Sequence, residues 1–237
     1  MRITNKAQGF YSAKYLLLFA MLFMTLLLAG TVVAGKIVRI GTFNLPASTL
    51  LFICSYALSD IITEVYGYAI MRQLIWFSVI CGYLFALAIQ LMIKLPSPNY
   101  WHFQNEFNTV FHITFLFTTI ASIAMILSIF LNSFALSKWK ILMRGKHFWL
   151  RSLSASFVGE LVHVVILYPI VFWSTVPMQA MPILMLSGLI YRVSGSFLIT
   201  TPTAIVAIFL KRAENIDTYD YHTNFNPFIL KEKSLGV

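Results

Sequence analysis

Charge is what this chain has least of. Only 11% of its 237 residues are Asp, Glu, Lys or Arg, against about 25% in a soluble domain. So few charges cannot cover a water-facing surface, which excludes a cytosolic enzyme, a disordered chain and a collagen. Cysteine is nearly absent as well. Cys54 and Cys81 alone cannot staple a disulfide scaffold, and because both fall in apolar runs they are expected to be buried free thiols. Acidic residues are scarcer than basic ones, 8 against 17. What is abundant is apolar: hydrophobic residues make up 59% and the mean hydropathy is +0.81. The composition describes a polytopic membrane protein built as one unit.

Six uncharged or nearly uncharged runs are candidate spans: Tyr15–Gly35, Ile40–Ser59, Gln73–Ile93, Phe107–Ser137, Ser152–Trp173 and Ile183–Leu210. Each supplies roughly the 20 residues, at about 1.5 Å apiece, that a bilayer crossing requires. Pro169, Pro177 and Pro182 separate the last two, with a short turn expected over Thr175–Met181. Helix two is open to a break or re-entrant bend at Pro46. The predicted organisation is a segment 1–14, a six-helix domain 15–212 and a polar tail 213–237, which is expected to be flexible.

Six spans put both termini on one side. On that side lie Arg2, Lys6, Lys14, Arg72, Lys138, Lys140, Arg144, Lys146, Arg151, Lys211, Arg212, Lys231 and Lys233. The opposite loops hold Lys36, Arg39 and Lys94. This asymmetry predicts cytoplasmic termini, and it explains the net charge of +9 without invoking nucleic acid. The first run is too long for a signal peptide and lacks a cleavage site before Lys36, so it reads as a retained anchor. Gly30 and Ala34 offer a close-approach surface, to a helix of this chain or to another subunit. Tyr100 and Trp101, in the loop 95–106, suit an interfacial aromatic belt.

Ionisable groups inside apolar runs are the sharpest functional signal. Each costs about 2.5–3.5 kcal/mol at the centre of a membrane helix, so it has a task or a partner. Asp60, Glu64, Glu160, His163 and Arg192 are these groups, with Asn132 as a further buried polar side chain. Asp60 and Glu64 stand four apart and share a helix face, so two carboxylates could line one polar cavity. Glu64 could instead cap the helix end by pairing with Arg72. Glu160 and His163 also share a face, and Glu160 could pair with His163 or with Arg192. Arg192 lies far from the basic end of its helix and could snorkel outward, while Asn132 could serve an interhelical hydrogen bond.

Enzyme and metal signals are weak. His102, Glu106 and His112 are too irregularly spaced for a zinc pattern. Neither H-E-x-x-H nor G-x-S-x-G nor a phosphate-cradling glycine loop occurs. No catalytic role, metal or cofactor is therefore expected.

The stretch Phe43-Asn44-Leu45-Pro46-Ala47, followed by Ser59-Asp60-Ile61-Ile62-Thr63-Glu64-Val65-Tyr66-Gly67-Tyr68, resembles the queuosine precursor transporter family, also called the vitamin uptake transporter family. Phe130-Leu131-Asn132-Ser133, Lys138-Trp139-Lys140, Gly145-Lys146-His147-Phe148-Trp149-Leu150-Arg151 and Thr201-Pro202 continue the likeness in order. It covers most of residues 20–212, and its specific part is Asp-x-x-x-Glu-Val-Tyr-Gly. The resemblance implies an all-α inner-membrane protein of six transmembrane helices, similar to the substrate-binding subunits of energy-coupling-factor transporters. It also implies import of 7-cyano-7-deazaguanine or a related 7-deazaguanine.

A guanine-like edge presents a ring N–H beside an exocyclic amine, and a buried carboxylate can accept from both. Asp60, Glu64 and Glu160 are the expected acceptors, with Asn132, His163 and Arg192 behind them. Tyr66, Phe157, Trp173 and Tyr191 are the aromatic candidates for the ring face. The chain departs from the family at Ser128-Ile129, where Gly-Gln is usual, and at Gly159-Glu160-Leu161-Val162-His163, where Gly-Gln-Leu-Val-Asp is usual. In the last helix Arg192 stands for a Lys, and the Glu before Thr201-Pro202 is missing. Polar changes at pocket positions, within a kept scaffold, imply a shifted substrate. The expected partners are a small purine-like molecule and the bilayer, with a second copy or an energising subunit left open. The alternatives are a carrier of another vitamin-like molecule and a scaffold that transports nothing.

Overall fold

In the computed structural model the described residues are 13–41, 43–112, 114–173, 176–221 and 223–229. Arg2, Lys6, Lys231, Lys233 and Thr175 of the expectations above lie outside them. The described residues form seven helices and one β-hairpin: α1 (Leu16–Val33), β1 (Ile37–Ile40), β2 (Phe43–Pro46), α2 (Ser48–Tyr66), α3 (Tyr68–Ile93), α4 (Gln104–Phe111), α5 (Thr114–Leu142), α6 (Phe148–Phe172) and α7 (Met181–Glu214). Among the described residues six helical segments are long and apolar enough to cross a membrane, the fourth being Gln104–Leu142.

The second span is displaced from its expected place. Ile37–Ile40 and Phe43–Pro46 pair antiparallel, Ile37 opposite Pro46 and Ile40 opposite Phe43. The first strand is short and rich in β-branched residues, with Ile37, Val38 and Ile40 around Arg39, and Gly41 turns the chain at a φ of 60°. Helix α2 therefore starts beyond Pro46 instead of breaking there. It carries Asp60 and Glu64 well inside its length. At its C-terminus Gly67, at φ 90°, breaks the helix for a single residue before α3 begins. A side chain is excluded there, since a Cβ would stand 2.8 Å from Thr218.

Helix α2 is the centre of the bundle, touching α1, α3, α5 and α7. The main core joins Phe23 and Leu27 of α1 to Phe52, Tyr56 and Ile62 of α2, Met71 and Ile75 of α3, and Met125 and Ile129 of α5. Phe52 packs against Gly30, whose added Cβ would be 3.6 Å from the ring, so the small-residue surface of α1 serves contact within this chain. The outer surface is apolar, with Leu17, Leu87, Leu131, Ile170 and Leu198 exposed. An apolar exterior around a polar interior is the arrangement a bilayer demands. The cysteines depart from expectation: Cys54 is half-buried and Cys81 is exposed on the apolar exterior.

The tail departs more. Asp220 is buried, and its carboxylate accepts from the backbone N–H of Tyr68 at 3.0 Å and from Ser137 Oγ. Arg72 donates to the carbonyls of Asn224 and Asn226, and Trp76 Nε1 to that of Pro227 at 2.7 Å. Residues 217–221 and 223–229 thus form a strap across the junction of α2 and α3. The reason is local. The one-residue helix break leaves a backbone donor exposed, and Arg72 lies inside α3 without an acidic partner among the described residues, so tail carboxylate and carbonyls satisfy both.

Candidate functional site

Four buried ladders, polar apart from Phe52 and spaced by four residues (by eight from Asn132 to Lys140), point into the bundle. They are Phe52, Tyr56, Asp60 and Glu64 on α2; Ser128, Asn132 and Lys140 on α5; Ser152, Ser156 and Glu160 on α6; and Arg192, Ser196 and Thr200 on α7. All are buried. Four-residue spacing keeps each set on one helix face, and the four faces meet.

The middle rungs form a buried polar cluster, called the chamber below. Asp60 Oδ1 accepts from Asn132 Nδ2 at 2.7 Å, and Oδ2 accepts from Ser152 Oγ and from Ser156 Oγ at 3.3 Å. Glu160 Oε1 accepts from Ser196 Oγ at 2.6 Å. Several atoms have no hydrogen-bond partner among the described residues: Glu160 Oε2, Asn132 Oδ1, both ring nitrogens of His163, and Nε and Nη1 of Arg192. Tyr56 Oη neighbours Ser128 without a well-formed hydrogen bond. Native interiors rarely leave such groups unpaired, and a cluster of them marks a place where a polar molecule can be received.

Phe52 closes one side of this chamber. Its ring lies 5.0 Å from the His163 ring and 5.4 Å from the Arg192 guanidinium carbon. Beyond it are two narrow clefts, both lined by Phe52, Thr31 and Ala121. Gly159 brings α6 against α5 beside the chamber. A Cβ there would be 2.8 Å from the Ser128 carbonyl oxygen and 2.9 Å from the Tyr56 ring.

An ion lattice closes the end that bears the termini. Glu64 receives both Nη atoms of Arg151, at 2.9 and 3.1 Å, and Lys211 Nζ at 2.7 Å. Lys140 stands 3.8 Å away and reaches Asp217 at 2.6 Å, which also pairs with Lys211 at 2.9 Å. Partial burial pushes the Asp217 carboxyl up. The hydrogen bonds and charges of Lys140 and Lys211 outweigh that and hold it below the ordinary aspartate range.

These positions revise several expectations. Asp60 and Glu64 share a helix face but not a cavity: Asp60 faces hydrogen-bond donors in the chamber, and Glu64 faces cations below it. Glu64 pairs with Arg151 and Lys211, not Arg72. Arg192 does not snorkel; it is 1% exposed and points at Phe52. Glu160 takes its hydrogen bond from Ser196, and not from His163 or Arg192. Asn132 makes the interhelical hydrogen bond and still keeps its oxygen free. Among the aromatic candidates, Phe157 and Trp173 are exposed on the apolar exterior, at 45% and 70%. Tyr191 is half-buried, and Tyr66 lies beside Glu214. Phe52 and Tyr56 take their place at the chamber. Those two, with Ser152 and Ser196, are not singled out by the sequence reading; four-residue spacing back from Asp60 and Glu160, and forward from Arg192, is the signal that points to them.

The family described as putative vitamin uptake transporter matches residues 46–207, more than half of the chain. No curated protein and no solved structure matches it. The matched segment starts just before α2 and runs through most of α7, so it contains the whole chamber. With six membrane-spanning segments around a polar interior, this chain belongs to the vitamin uptake transporter family.

Proposed function

We propose that the protein imports a 7-deazaguanine base, a queuosine precursor, across the cell inner membrane, with both termini in the cytoplasm. The observation that carries this reading is the set of unpartnered donors and acceptors at Glu160, Asn132, His163 and Arg192, packed beside aromatic rings. A guanine-like edge offers two adjacent N–H donors to a carboxylate such as Glu160. Its ring carbonyl is an acceptor for Arg192 or His163, and Asn132 Oδ1 can accept a further N–H. Phe52 and Tyr56 supply faces for a flat bicycle. Asp60 holds Asn132 in place through the 2.7 Å hydrogen bond. Glu64, saturated by cations, belongs to the closure of the cytoplasmic end.

Calorimetric titration of the purified protein with 7-cyano-7-deazaguanine, other 7-deazaguanines and guanine tests this. Saturable binding to the wild type that is lost in Glu160→Gln is the expected result. Absence of heat with every compound overturns the substrate assignment and turns attention to other vitamin-like molecules, as the family description suggests. Retained uptake of a 7-deazaguanine by cells carrying both Glu160→Gln and Asp60→Asn would overturn the assignment of the chamber.

A further inference from the structure

The chamber holds two carboxylates and one fixed cation. Asp60 is 1% and Glu160 0% exposed; Ser156, whose Oγ donates to Asp60 Oδ2 at 3.3 Å, stands one helical turn before Glu160 on α6, and the Glu160 charge acts on Asp60. Around Asp60 stand Tyr56 and Glu64 on its own helix, Asn132 on α5, and Ser152, Ser156 and Glu160 on α6. Around Glu160 stand His163 on its own helix, Tyr56 and Asp60 on α2, and Arg192 and Ser196 on α7. Of these, Arg192 is the cation, and it reaches Glu160 electrostatically. Arg151 is committed to Glu64 and to the carbonyls of Lys146 and Gly145. The ion lattice carries one excess positive charge: Arg151, Lys140 and Lys211 against Glu64 and Asp217. Water reaches this lattice at Lys211, 20% exposed, and Asp217, 43% exposed, and screens its charge.

Two ionised carboxylates and one guanidinium would leave a net negative charge sealed between helices, which a low-dielectric interior strongly disfavours. A sodium ion is a poor fit as the balancing charge, because both oxygens of Asp60 and one of Glu160 are occupied by hydrogen-bond donors. We infer that the Asp60–Glu160 pair is a proton-binding site, and that the closed chamber carries one proton shared between the two carboxylates. The proton comes from water when the chamber is open: a carboxylate oxygen gains an O–H bond, and reopening returns the proton to water. Like-charged neighbours share protons as a pair, so the site belongs to both residues. A neutral ligand leaves the charge count unchanged, and the loaded chamber also closes with its proton. Protons therefore favour the closed chamber, and alkaline pH favours the open one.

The proton site needs no ligand to be tested, so its failure is separate from that of the substrate assignment; its place in transport rests on that assignment. Infrared difference spectroscopy of the ligand-free wild type at neutral pH reads protonated carboxyl groups directly. One such group is expected. Glu160→Gln and Asp60→Asn each remove one negative charge, so the remaining carboxylate is balanced by Arg192 and the band disappears in both. Arg192→Met removes the cation, and the band doubles. A purely structural role for these residues moves no proton and does not give this pattern of one, none, none and two. A wild type with no protonated carboxyl, or a band untouched by the two conservative carboxamide variants, overturns the inference, whether or not Arg192→Met folds.

Discussion

Arg151 of α6 grips Glu64 of α2 with both terminal nitrogens, at 2.9 and 3.1 Å, and both side chains are withdrawn from solvent. The pair binds α2 to α6 at the end where Lys140, Lys211 and Asp217 gather. Breaking a buried pair from one side leaves the other charge stranded, which costs about 3–5 kcal/mol. Glu64→Gln and Arg151→Gln are each expected to lower stability by about that amount. Glu64→Leu combined with Arg151→Met should be less damaging than the sum of the single changes. Thermal unfolding in detergent checks both statements.

Gly159 is expected to tolerate no side chain. Gly159→Ala places a methyl group 2.8 Å from backbone and 2.9 Å from the Tyr56 ring. Forcing α5 and α6 apart should cost about 1–3 kcal/mol and misalign Asn132 with Glu160. Gly82→Ala meets Thr118 at 3.7 Å, an ordinary contact, and should be neutral or slightly stabilising. Comparing midpoints of thermal unfolding and ligand heats for the two variants measures the difference.

Phe52 stands between the clefts and the chamber, so shortening it should let solutes through. In a protein with Cys54 and Cys81 replaced by serine and Ser156→Cys as the reporter, a water-soluble thiol reagent should react slowly. Adding Phe52→Leu should make that reaction several-fold faster. Equal rates in the two backgrounds would show that the ring is not the barrier.

The strap should loosen in acid through Asp217. Its folded-state value lies below the ordinary 3.8, so its ion pairs stabilise the strap fully above that value. The contribution is lost as pH falls from 3.8 through the lower folded value. Hydrogen exchange at the Thr218 amide, which donates to the Val65 carbonyl at 3.2 Å, should accelerate over intrinsic rates as pH drops from roughly 5 to 2. Asp217→Asn should remove much of that acid dependence, with weaker protection already at neutral pH.

Span number and class were legible in the sequence because lipid imposes a one-dimensional rule: long apolar runs, few charges, basic residues at one end. The polar ladders were partly legible for the same reason, since an ionisable group in an apolar run stands out whatever it touches. Asp60, Glu160, His163 and Arg192 could be named in this way. Partnership could not. Asp60 and Glu64 share a helix face, yet one meets Asn132, Ser152 and Ser156, and the other meets Arg151 and Lys211, because three other helices cross α2 at different heights. The hairpin at 37–46 was hidden because the uncharged run from Ile40 took in its second strand, and an uncharged-run criterion cannot separate a strand from a helix. The tail, polar and featureless as sequence, became part of the fold when the bundle presented the unpaired Tyr68 amide and Arg72 at one junction. Local composition therefore determined that this chain crosses a membrane with charges inside it. Only the packing of distant helices decided which of those charges lock the end and which enclose the chamber, since electrostatic and hydrogen-bond partners depend on distances that no spacing along the chain encodes.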